Sequence, residues 1–157
     1  MHHHGYLWTG PKQRFDDEAL RRPAHPVPPP AGARPELVQR YREVKAGFPV
    51  VELPPLETAH WLVKPAGQVR GTWAEPHAAA RWLGARVAEY APRFAAGPDR
   101  DRARLTALVG SAAARLGWGG DVSWGFYLEQ PAFLYLSVVS CAPNRARPDL
   151  GCPLRRG

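Results

Sequence analysis

The sequence has little lysine, asparagine, cysteine or uninterrupted apolar length. Lysine occurs only at Lys12, Lys45 and Lys64, Asn144 is the only asparagine, and isoleucine is absent. Alanine, arginine, glycine and proline, all with GC-rich codons, dominate instead, which points to a GC-rich genome of bacterial type. Two cysteines, Cys141 and Cys152, are too few for a disulfide framework. No C-x-x-C or H-x-x-x-H spacing adds the further ligands a zinc site needs, so the expectation is two free thiols, one of them buried. No apolar run approaches the roughly 20 residues of a membrane-spanning helix, and the opening MHHHGYLWTG has no apolar signal segment. These absences predict a soluble, cytoplasmic protein with no membrane partner. No cofactor motif is visible, and no Ser or Cys stands in a recognisable nucleophile turn, so no cofactor is expected.

What is present describes an ordinary globular chain. The 157 residues, 45% hydrophobic and 22% charged, suffice for one domain with its own core. The eighteen prolines are uneven: Pro23, Pro26, Pro28, Pro29 and Pro30 crowd one segment, which should be extended and polyproline-like. Residues 1–33 therefore read as an extended arm, 34–143 as an α+β domain and 144–157 as a Pro/Arg-rich tail.

The domain is organised around residues 122–141. Val122, Trp124, Phe126 and Leu128 alternate with Ser123, Gly125, Tyr127 and Glu129, and after Pro131 the chain resumes with an apolar run from Phe133 to Val139. The pattern predicts a hairpin whose second strand lies inside a sheet. A second hairpin is expected over 58–73, turning at Pro65 to Gly67. Helices are expected over 35–46, 76–91 and 99–116, from the apolar spacing of Leu37, Val38, Tyr41 and Val44, of Ala79, Leu83, Val87 and Tyr90, and of Leu105, Leu108, Val109, Ala112 and Leu116. Asp99 is the expected N-cap of the last. Helices on one face of an antiparallel sheet of two hairpins make an α+β two-layer sandwich.

Candidate chemistry is sparse. His2, His3 and His4 are of metal-ligand type. A terminal amine, two amides and a third-position histidine can wrap Cu(II) or Ni(II) in square-planar nitrogens, as adventitious binding at a terminus or tag remnant also does. His60, His77 and Glu129 are the acid/base candidates, and the helix N-terminus biases His77 toward its neutral form. Trp73, His77, Arg81 and Tyr127 are candidates to line a small-molecule pocket. The net charge of +7 makes Arg100, Arg102 and Arg104, with the Arg-rich tail, candidates for nucleic-acid contact, although the basic residues are diffuse and lack interleaved aromatics. Tyr6, Leu7 and Trp8 are apolar enough to dock on a partner or on a second copy, giving a homodimer through the arm. The leading functional reading is a small non-catalytic binding or accessory protein acting through protein–protein contacts. An enzyme or small-molecule binder stands second and a nucleic-acid binder third.

Overall fold

The computed structural model of the chain describes residues 1–141 and 143–155. Four strands form one antiparallel sheet: β1 (His2–Pro11), β2 (Gly71–Trp73), β3 (Val122–Tyr127) and β4 (Ala132–Cys141), in the order β2-β1-β4-β3. The 122–141 hairpin forms as its alternation predicts, with a turn holding the cis peptide bond Gln130–Pro131. Helices α1 (Lys12–Phe15), α2 (Pro35–Gly47), α3 (Pro76–Tyr90) and α4 (Arg102–Gly117) complete the regular structure, so the fold is α+β. The cap of α4 is Asp101, whose carboxylate accepts from the Arg104 amide at 2.9 Å. Asp99 lies instead in a preceding 3₁₀ turn, Gly97–Arg100.

The 1–33 arm does not exist as expected. Residues 2–11 are an inner strand, paired along their whole length with β4 from His2↔Cys141 to Pro11↔Ala132 and on the other edge with β2. The reason is visible in the burial. His4, Tyr6 and Trp8 point to one face and His3 and Leu7 to the other, and only a strand with both faces covered hides so many of them. The 58–73 hairpin also fails. Ala59, His60, Trp61 and Leu62 are all buried in succession, but in a 3₁₀ helix, Thr58–Val63, that packs against β4 rather than in a strand. Only Gly71–Trp73 remains extended, at the free edge of β1.

The two faces of the sheet are covered differently. Against α3 and α4, Leu134, Leu136 and Val138 of β4 and Val122 and Phe126 of β3 pack on Leu83, Val87, Ala112 and Leu116. Gly5 has no Cβ for a structural reason: one would lie 2.9 Å from the Trp82 ring and 3.0 Å from Trp73. The opposite face is roofed by irregular chain. Trp61 stacks on Tyr6 with ring centroids 4.5 Å apart, Leu53 covers Trp8 and Phe133, and the tail brings Cys152 against Cys141 and Val139.

Candidate metal centre

Strand geometry sorts the three histidines. Successive side chains alternate between faces, so His2 and His4 share one and His3 takes the other. His3 is buried with Nδ1 2.8 Å from the Ser140 hydroxyl, away from any thiol. The register sets Cys141 opposite His2, on the same face as His4, and the tail returns to place Cys152 beside them. One ligand atom each from His2, His4, Cys141 and Cys152 lies within 4.8 Å of every other. His4, Cys141 and Cys152 are buried and His2 is half-buried.

The cluster is poorly satisfied by hydrogen bonds alone. His4 Nε2 lies 3.0 Å from Cys141 Sγ and 3.5 Å from Cys152 Sγ, so two thiols crowd one nitrogen that has a single lone pair or a single proton. His2 Nδ1 is buried without a hydrogen-bond partner. A tetrahedral ion bonded at about 2.0 Å to nitrogen and about 2.3 Å to sulfur would hold its ligand atoms roughly 3.3–3.8 Å apart, between the 3.0 Å His4–Cys141 contact and the 4.8 Å limit of the cluster.

The surroundings orient the donors. His4 Nδ1 lies 2.9 Å from Thr72 Oγ1, across the β1–β2 ladder. With Nδ1–H donating to that hydroxyl, the Nε2 lone pair faces the sulfurs, the outer-shell arrangement that metal-bound histidines use. Burial, with the neighbouring His2 and His3, lowers the His4 pKa to about 4, so the ring is a neutral donor at ordinary pH. Burial and the contact with Cys152 push the Cys141 thiol up to about 12. Without a cation it stays protonated, and a bound metal would displace that proton.

This corrects the expected metal set, in which His3 belonged and the cysteines did not. An amine-and-amide site is also excluded by the fold, because the His3 and His4 backbone is enclosed between β2 and β4. The ligands come from the two ends of the chain, which is why no compact spacing motif reveals them. The usable signal is His-x-His within an alternating strand.

The other candidates are scattered. His60 is buried and not on a strand; its Nε2 accepts from Arg147 Nη1 at 2.7 Å and lies 3.3 Å from Glu57, while burial lowers its pKa. It clasps the 143–151 loop. His77 is exposed in the first turn of α3, and Glu129 is exposed and paired in a fork with Arg93. Trp73 stands on β2 and Tyr127 on β3, opposite edges of the sheet, so the four expected pocket residues do not converge on one site. Tyr6 and Trp8 are buried and Leu7 half-buried within β1, packed on their own domain. Arg100 donates to the Phe94 carbonyl and Arg104 pairs with Asp99, so acids interleave the basic run that includes Arg102. Cys141 and Cys152 are both free and both buried. No helix is long and apolar enough to cross a membrane among the described residues. No family model, curated protein or solved structure matches this chain.

Proposed function

We propose that the chain is a non-catalytic binding protein whose fold is closed by a structural zinc ion on His2, His4, Cys141 and Cys152. The observation that carries this reading is the convergence of four nitrogen and sulfur donors, from both ends of the chain, within 4.8 Å. Two thiolates and two imidazoles suit zinc rather than magnesium or calcium, which take oxygen. Four protein ligands fill a tetrahedral shell and leave no position for a reacting water, the mark of a structural centre. The ion would tie β1, the end of β4 and the tail together, so its binding energy becomes folding energy.

Metal analysis of the purified protein tests this. The expected content is one zinc per chain, lost in C141S and C152S and retained in H3Q. Zinc-free protein under metal-replete expression, or unchanged zinc in both serine variants, overturns the reading.

Its binding role is supported by α2. No residue of this 13-residue helix is buried, and Leu37 is 52% exposed. Leu37, Tyr41 and Val44 line a shallow, largely apolar groove of about 530 Å³ against Pro28, Pro29 and Pro30, rimmed by Arg22 and Arg40. Apolar floor and cationic rim complement an acidic amphipathic segment of a partner protein. Selection from a library of acidic amphipathic peptides should return binders whose affinity falls at least about tenfold in L37E, a loss of about 1.4 kcal/mol. No binders, or binders indifferent to L37E, overturn this assignment.

A further inference from the structure

We infer that the cleft between the end of α4 and the 143–151 loop binds a small molecule carrying a phosphate group on a flat apolar body. The proposal goes beyond the metal reading and does not depend on it. The cleft has a volume of about 680 Å³, within the range of small-ligand sites.

At its mouth Trp118 is 52% exposed, in the Gly-rich turn that ends α4. The guanidiniums of Arg115 and Arg145 each lie 5.2 Å from the centroid of that ring. Each is fixed by a main-chain carbonyl rather than by an acid: Arg115 Nε donates to Asp121 O at 2.5 Å, and Arg145 Nη1 to Trp118 O at 2.8 Å. Neither forms an ion pair with a carboxylate among the described residues. Two positioned cations with spare N–H groups match a dianionic phosphate, and their fixed placement lowers the ordering cost of binding.

The acids in the cleft are already engaged. The Asp121 carboxylate accepts from the Ser140 amide at 2.9 Å and from Asn144 Nδ2 at 3.0 Å. Glu57 faces His60 and Arg147. Asn144 also fixes the loop that carries Arg145: it is fully buried, and its Oδ1 accepts from the amides of Ala146 and Arg147. The left-handed Gly119, φ +86°, packs against the Arg145 stem, where a Cβ would lie 3.3 Å from its Cδ. Trp118 and Trp124 supply the apolar walls for the flat body.

Calorimetric titration of the full chain with phenyl phosphate, inorganic phosphate, phenol and a single-stranded RNA oligomer tests the assignment. Phenyl phosphate should bind at least tenfold more tightly than inorganic phosphate, and phenol should give no heat. R115Q and R145Q should each weaken phenyl phosphate about tenfold or more, the exposed R102Q should not, and all three should melt like the wild type. The proposal is overturned by absence of binding at millimolar phenyl phosphate or by an R115Q/R145Q double variant that binds as the wild type. Tighter binding of RNA than of phenyl phosphate through the same arginines also overturns it and assigns the cleft to a polymer.

Discussion

Substituting His4 removes the nitrogen that both thiols face, whereas substituting His3 removes a ring that bonds Ser140 on the other side of the sheet. H4Q is therefore expected to lose its zinc. H3Q is expected to keep it while losing about 1 kcal/mol of stability with the bond to the Ser140 hydroxyl, which retains its contact with the Gly120 carbonyl, and paired metal and denaturant measurements separate the two. Lys64 makes a pH prediction of its own. Its ammonium is buried, donates to the Phe48 carbonyl at 2.5 Å and lies 4.1 Å over the Phe48 ring. Burial pulls its pKa from 10.5 to about 8. Between those values the unfolded chain holds more protons than the folded one, so stability rises with pH across the window and is lost as pH falls through about 8. The stability difference between wild type and K64M should grow by up to about 3 kcal/mol in favour of wild type from pH 7.5 to 10.5, since each pH interval of one between the folded and unfolded pKa values is worth about 1.4 kcal/mol. A pH-independent difference would contradict it.

Among the elements, β1 and α2 stand at opposite ends of commitment to the fold. β1 pairs with neighbours on both sides and supplies the candidate ligands His2 and His4 at its start and core residues along its length. Deleting residues 1–11 should abolish the cooperative melt, whereas loss of a true arm would leave a folded domain. G5A should destabilise by about 1–3 kcal/mol, because the added methyl meets Trp82 and Trp73 in a packed layer. By contrast no residue of α2 is fully buried and Leu37 is exposed, so L37A should cost under about 0.5 kcal/mol. Leu83 of α3 is fully buried, and L83A should cost about 2–5 kcal/mol. Urea unfolding of the three variants checks the ranking. The sequence pattern located α2, α3 and α4 because apolar residues at helical spacing mark a helix whether or not anything covers its face. It misread 58–63 because two turns of 3₁₀ helix and a short strand leave the same few consecutive apolar residues.

For the molecule as a whole, the proposed zinc ion would join the two ends of the chain, and stability should then depend on it. Exhaustive chelation is expected to lower the melting temperature by about 10 °C or more: zinc at a thousandfold over its dissociation constant contributes about 4 kcal/mol, and each kcal/mol moves a domain of this size by about 2–4 °C. Re-addition of zinc should restore it, and a melting temperature indifferent to chelator would count against a structural ion. Local pattern determined much of this protein: the β3–β4 hairpin, the three long helices and the α+β class follow from periodicities of two and 3.6 within short windows. Tertiary structure alone decided which strand lies beside β4, that the terminal residues belong to the core, and that His2 and His4 meet Cys141 and Cys152. Secondary structure is set by neighbours a few residues apart, and those residues are written side by side. A site assembled across 148 positions, from His4 to Cys152, exists only once the register of β1 on β4 and the return of the tail bring its ligands together.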